Sequence, residues 1–526
     1  MMKRLFLLLA AVLLLFWCCE RQEILPVPRE EDPEQQKEPE KPKEEEPEQP
    51  RDEGDHSGTD LLSFFVEVDG KEYHPVDASG TELSIFVPMG TALTALKPKF
   101  THNALKVTVG GKEQKSGETV VSFAGYKKGT VYKLTSDSGQ SKSYTVRVLD
   151  TRLPVVSVTT VKPGAIKDKT TWREASLRIF LADGTVQDLG DTFIRGRGNW
   201  TWDYYPKKPY SLKLADRHKV LDMPAHKRWV LLAQYRGFIG NPMMFEATRR
   251  APSMKWAPRG YYVELVLNGK FQGLYYLCEH IKIDKNRVDI DEIKPKDVKY
   301  PDVTGGYLLE YDELYDEEFK FKSAYFDLPV QIKHPNDTMP DAQFRYIRGF
   351  INEMEAELKK IGTSQTSKYA NYLDRKSFAD YWLVLETMGN YEAYKPRSVK
   401  MYKGRDGVGV VSKLMAGPLW DQELFEVKHR FNNKDAHYFK YLFKDPAFVA
   451  CVKERWAVYK GNILGNESYE PFLDYLNEMV DLIKESAKRD LAYWGNEYFT
   501  FSEEVATVRQ GFRSKIDWMD AQIQSF

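Results

Sequence analysis

The chain has 526 residues, 42 % of them apolar and 13 % aromatic, with 76 Lys and Arg against 77 Asp and Glu. That apolar content supplies core for several domains and excludes a wholly disordered chain, and the near-zero net charge argues against a general nucleic-acid binder. The balance is uneven: residues 29–55 carry thirteen acids and five bases, which leaves 56–526 mildly basic at +6, a sign that suits a phosphate-bearing ligand without demanding one.

Lys3 and Arg4 precede an apolar run from Leu5 to Trp17, followed by Cys18-Cys19. The run is short for a bilayer span, and its basic start fits a cleaved export signal over 1–19. A cysteine directly after such a run resembles a bacterial lipoprotein signal. Lipidation of Cys18 or Cys19 would then anchor the chain to a membrane; an ordinary signal is the alternative. Residues 20–60 are dominated by Glu, Pro, Lys and Gln and predict an extended acidic tether. Cys278 and Cys451 sit in apolar contexts and read as inert core thiols, with a single disulfide between them the alternative.

Residues 61–150 predict short strands at Leu62–Val68, Leu83–Val87, Thr119–Phe123, Val131–Leu134 and Ser143–Leu149, separated by turn signals such as Asp69-Gly70 and Gly110-Gly111. This is the pattern of an all-β sandwich of immunoglobulin type. It gathers no catalytic residues and reads as a spacer or adhesion module. From 152 the β-signal continues. Arg178–Ala182 with Thr185–Leu189 predicts one hairpin, and Tyr262–Leu267 with Lys270–Leu277, joined by Asn268-Gly269, predicts another. Strands at Tyr210–Leu214, Trp229–Gln234 and Gly305–Glu310 and a short helix near Pro242–Arg250 lie around them. From about 340 apolar residues recur at helical spacing: Phe344, Ile347, Ile351, Met354 and Leu358, then Phe378, Tyr381, Leu385 and Met388. The last stripe, Val505 to Ile523, follows a predicted Ser502 N-cap with Glu503 and Glu504 in its first turn. Strands first and helices later predict an α+β domain over 152–526, with a cleft between a β-rich and a helical part.

Three constellations carry chemistry. In Arg195-Gly196-Arg197-Gly198-Asn199, two glycines allow close backbone approach and two arginines suit phosphate; Lys213 follows in a strand between Leu212 and Leu214. The bland reading is a basic surface turn. Glu279 ends an apolar strand and suits pairing with a lysine, or simply meets solvent. Glu392, after the helix ending at Asn390, is placed to orient or deprotonate a hydroxyl. Asp421 and Glu423 alternate after a turn and are suited to share a hard cation, or form a solvated loop.

The string RGRGNWTW…PKKPYSLKL resembles the signature of the spore-coat protein H (CotH) kinase family, usually RGRGNSTW…PKKPYRLK. Further similar blocks are KRWVLLAQY (Lys227–Tyr235), LNGKFQGLYYLCEHIKIDKNRVDI (Leu267–Ile290), GGYLLEYD (Gly305–Asp312), DYWLVLETMGNYE (Asp380–Glu392), KPRSVKMYK (Lys395–Lys403) and GPLWDQELF (Gly417–Phe425). The resemblance implies an atypical two-lobed protein-kinase-like fold that uses ATP and Mg²⁺ to phosphorylate Ser or Thr of a protein. It implies Lys213 as the nucleotide-phosphate lysine with Glu279 its partner, the Arg195, Arg197 and Asn199 loop by the nucleotide, Glu392 as catalytic carboxylate, and Asp421 with Glu423 at the metal. Glu392 and Glu423 stand where the family commonly has Asp, and Gly237 where an aspartate is common. The expected setting is the cell envelope, as an outer-membrane or surface lipoprotein of a Gram-negative bacterium. The alternative function is a degenerate kinase fold used as a binding or adhesion module.

Overall fold

The computed structural model of the protein describes residues 56–526 apart from 337, 467–469 and 496–499. The expected export signal, lipidation site and tether up to residue 55 lie outside the described residues. Among the described residues, no helix is long and apolar enough to cross a membrane.

The first strands alternate apolar and polar side chains, which gives each sheet one face to bury. β1 (Ser57–Val68), β2 (Lys71–Tyr73), β3 (Glu82–Pro88), β4 (Lys99–Ala104), β5 (Lys106–Val109), β6 (Lys112–Glu113), β7 (Thr130–Thr135) and β8 (Ser141–Thr151) form two sheets. Their orders are β2-β1-β4 and β3-β8-β7-β5-β6. Phe64, Val66 and Phe100 of the first meet Ile85, Val107, Tyr132 and Val148 of the second in one core. Two expectations are corrected here. Thr119–Phe123 is not a strand, since it makes only a bridge from Val121 to Leu96; the strands passed over are β4, in the first sheet, whose alternation is masked by Thr, His and Asn, and β5, in the second. And β1 begins at Ser57, so residues 57–60 are strand rather than tether.

β9 (Val155–Thr160), β10 (Arg173–Phe180), β11 (Val186–Gly196), β12 (Tyr210–Val220), β13 (Met223–Leu232), β14 (Gly260–Leu267) and β15 (Lys270–Glu279) follow. They close a barrel in the order β10-β11-β12-β13-β15-β14-β9. Both expected hairpins form, and Asn268 and Gly269 take φ of 51° and 75°, the left-handed pair this tight turn requires. Parallel pairing of β9 with β14 supplies closure. Val158, Leu177, Leu212, Trp229, Leu265 and Leu277 fill the interior. On the outside, Val230, Leu274, Tyr276 and Cys278 belong to the larger core shared with the helices. The sandwich is seated on the barrel: the Ser84 hydroxyl donates to the Gly269 carbonyl at 2.7 Å and Thr159 to Asp77 at 2.7 Å.

α1 (Trp200–Tyr204) follows β11 and α2 (Gly240–Arg250) follows β13. A third sheet, β17-β18-β16-β19-β20, is built from β16 (Tyr307–Tyr311), β17 (Lys320–Lys322), β18 (Pro329–His334), β19 (Val399–Lys403) and β20 (Leu414–Ala416). It shares one large core with α3 (Asp341–Lys360), α4 (Arg375–Met388), α5 (Phe439–Leu442), α6 (Pro446–Leu464), α7 (Pro471–Trp494) and α8 (Phe501–Gln524). The N-cap of α8 is Thr500, not Ser502: Thr500 and Glu503 make a reciprocal capping box, the Thr-x-x-Glu register that Ser502 cannot provide. Buried charge pairs tie α7 to the barrel, Asp490 with Lys207 and Arg489 with Glu264, each at 2.7 Å. Cys278 and Cys451 are both free thiols. The domain is α+β, but strands do not simply precede helices as expected: β19 and β20 follow α3 and α4 in the chain and complete the third sheet.

Candidate active site

The site is assembled on the polar face of the third sheet. Along β16, Leu309 and Tyr311 enter the core, so strand alternation turns Glu310 and Asp312 to the other side. Glu310 lies directly opposite Lys400 on β19, and the two form a buried ion pair. Lys333 of β18 reaches the second Glu310 oxygen at 3.2 Å. Burial alone would raise the Glu310 pKa, but the Lys400 and Lys333 ammonium groups hold it down to about 2.

Two loops bring further carboxylates to this face. Helix α4 ends at Gly389, which is left-handed, and the chain turns through Asn390 to Glu392. After β20 comes the loop carrying Asp421 and Glu423. Gln422 clamps the two loops together. Its side-chain oxygen accepts from Asn390 at 2.7 Å, its amide donates to the Met388 carbonyl at 3.2 Å, and its backbone N–H donates to Asn241 at 3.1 Å. Asn390 in turn accepts the Glu392 N–H at 2.8 Å. Asp421 and Ser398 both hold left-handed backbone, φ 73° and 51°, a conformation costly for residues with a side chain and often found at functional sites. The Ser398 hydroxyl donates to Asp421 at 3.2 Å while its N–H donates to Asp312 at 3.0 Å.

The electrostatics follow from this crowding. Burial, and then the charge of Asp421, push the Glu392 pKa up to about 8; Asp312 and Glu423 add to the rise and Arg397 opposes it. Burial and Asp421 raise Glu423 as well, although Arg236 lies 3.3 Å from it. Burial likewise raises Asp312. A cluster of carboxylates that resists ionisation is a cluster short of positive charge. Facing it is Arg197, whose guanidinium lies 5.4 Å over the Trp420 ring. Arg197 is desolvated and feels both Asp421 and Glu310.

The expected site residues divide. Glu392, Asp421, Glu423 and Arg197 are brought together. Arg195 lies 4.4 Å over the Trp172 ring and feels Glu317 across the gap. The Asn199 side chain accepts from Lys169 at 3.3 Å. The pairing of Lys213 with Glu279 is corrected by the register. Leu212 pairs with Trp229, and Trp229 with Glu279, so these three share the inner side of the wall. Lys213, opposite Arg228, therefore points outward, 5.7 Å from the Phe193 ring. Glu279 is fully buried and is held instead by Arg259 at 2.8 and 3.0 Å, with Arg287 at 3.8 Å.

Sequence reasoning passed over Glu310, Asp312, Ser398, Lys400 and Gln422, although all lie in blocks it had singled out. Acids at alternate positions of an otherwise apolar strand, Glu310-Tyr311-Asp312, were the available signal. Among the described residues, no group of three or more His, Cys, Asp or Glu is arranged to hold a metal ion by itself.

Residues 194–519 match the family model described as CotH kinase protein, and the chain belongs to that family. No curated protein matches the chain. Among solved structures, the chain is similar to a candidate glycoside hydrolase from Bacteroides thetaiotaomicron, at 19 % identity over 41 % of this chain and 60 % of that one, with a TM-score of 0.19. The chain thus spans less than two thirds of that protein's length.

Proposed function

We propose that this protein transfers the terminal phosphoryl group of ATP to a Ser or Thr hydroxyl of a protein substrate, in a kinase-like two-lobed domain whose lobes meet at the carboxylate cluster. The observation that carries the reading is the convergence of Glu392, Asp421, Asp312 and Glu423, from three distant segments, opposite Arg197 in a chain of the CotH kinase family. Glu392 accepts the proton of the attacking hydroxyl. A carboxylate with raised proton affinity suits this role near neutral pH. As the hydroxyl oxygen bonds to the γ-phosphorus, the bond to ADP breaks and ADP leaves. Arg197 faces the charge on the phosphates. Asp421, with Glu423 or Asp312, would hold Mg²⁺, which when bound neutralises charge on the transferring phosphates. We read the chain as an exported envelope lipoprotein, anchored through Cys18 or Cys19, with the N-terminal sandwich an immunoglobulin-type spacer.

Thermal melts of the full chain with and without ATP and magnesium test the binding half. Ligand at a hundredfold its Kd stabilises by about 2.7 kcal/mol, and Asp421→Asn removes the magnesium-dependent part. Transfer of label from ATP tests the chemistry, and Glu392→Gln should lose it. A parent protein whose melt ignores ATP with magnesium leaves the family's fold serving as a binding module.

A further inference from the structure

Lys400 differs from the other buried lysines in how its protons are used. An ammonium group has three N–H donors. Lys403, three residues on in the same strand and on its opposite face, uses three acceptors: the Thr304 and Gly404 carbonyls at 2.6 and 3.2 Å and Asp406 at 3.1 Å. Lys207 and Lys515 have two acceptors each. Lys400 has one, Glu310, so among the described residues two of its donors find no acceptor. A buried donor without an acceptor is costly, and it is tolerated where a ligand supplies the missing atom.

The surroundings say what kind of ligand. Ser398, two residues before Lys400 and just ahead of β19, donates to Asp421. Glu310, its ion-pair partner, is felt by Arg197 from the facing wall. The Arg197 guanidinium has no hydrogen bond or ion pair among the described residues, only the Trp420 ring. Two cations with unused donors thus stand beside a carboxylate cluster short of positive charge. A polyphosphate fits both: its oxygens accept from the cations, and a divalent ion bound to it relieves the carboxylates.

We propose that Lys400, held in place by Glu310, is the lysine that contacts the nucleotide's phosphates, in the role that the sequence resemblance implies for Lys213. Lys333 is the second tether of Glu310 and fixes its orientation. This rests on the phosphotransfer reading above and refines which residues of that cleft bind the triphosphate.

Titration calorimetry of the full chain with ATP and with adenosine, both in magnesium, tests it. Lys400→Met should weaken ATP at least tenfold and leave adenosine within twofold, because only the phosphates lose a contact. Should Glu310, left with Lys333 alone, unsettle the fold, the double variant Lys400→Met/Glu310→Gln removes both charges and is expected to show the same selective loss. Lys400→Arg should recover part of the ATP affinity. ATP affinity within threefold of the parent in a folded variant, or an equal loss for ATP and adenosine, overturns the assignment while leaving phosphotransfer standing. A parent that binds no nucleotide overturns both.

Discussion

Removing the Glu392 charge should change how stability depends on pH. Its pKa moves from an ordinary 4.5 to about 8, first through burial and then through Asp421. The folded protein therefore holds this proton more tightly than the unfolded chain. The stabilisation is fully present below pH 4.5 and is lost as pH rises through about 8. At about 1.4 kcal/mol per pKa unit the whole displacement bounds the effect at roughly 5 kcal/mol. Since the carboxyl keeps some contact with water, about half of that is the expected difference between the two ends of the window. Other buried acids titrate nearby, Glu504 and Glu386 toward 7 and Asp490 toward 6, so the test is a comparison. Urea denaturation of the parent and of Glu392→Gln, in EDTA from pH 5 to 8.5, should show the parent losing stability faster toward high pH. Asp421→Asn removes the like charge and should flatten the parent's slope in the same direction. Saturating magnesium should do so too, because a bound cation favours the ionised carboxylates. Parallel curves for parent and Glu392→Gln would show that Glu392 is ionised throughout, and the carboxylate-crowding account of the site would fall with them.

Three further outcomes follow from the packing. Asp490→Ala leaves the Lys207 ammonium buried without its partner 2.7 Å away and should cost about 3–5 kcal/mol by chemical denaturation, whereas Lys207→Met/Asp490→Leu should cost distinctly less. Gly237→Ala would place a methyl group 2.5 Å from the Glu423 carbonyl oxygen and 2.7 Å from the Glu504 carboxylate; a loss of about 1–3 kcal/mol is expected, with nucleotide binding weakened through displacement of Glu423. Gln422→Leu breaks the clamp between the Asn390 and Asp421 loops, so calorimetry should show weaker ATP–magnesium binding while adenosine alone binds as to the parent.

Much of the architecture was legible because period and turn chemistry are local. The Asn268-Gly269 hairpin and the helices at 341–360 and 375–388 follow from spacing that a single segment carries. The weak points were equally local: β4 has polar residues where apolar ones would mark a strand, β5 is only four residues long, and the α8 cap was placed two residues late because Thr500 and Ser502 are both good capping residues. For the site, the family resemblance of their blocks singled out Glu392, Asp421, Glu423 and Arg197 as candidates, and the structure brings these four together.

Tertiary structure alone decided which charges face each other. The family resemblance implied Lys213 and Glu279 as partners, one within an alternating strand and the other at the end of an apolar one. Barrel closure sets the register of β12, β13 and β15, and a difference of one residue in register exchanges the two faces of a strand. Lys213 is thereby turned outward and Glu279 inward to Arg259 and Arg287. The same rule, applied to β16 and β19, sets Glu310 against Lys400 across 90 residues of chain. A one-dimensional string records the parity of each strand but not the pairing between strands, and it is the pairing that determines which cation each buried carboxylate meets.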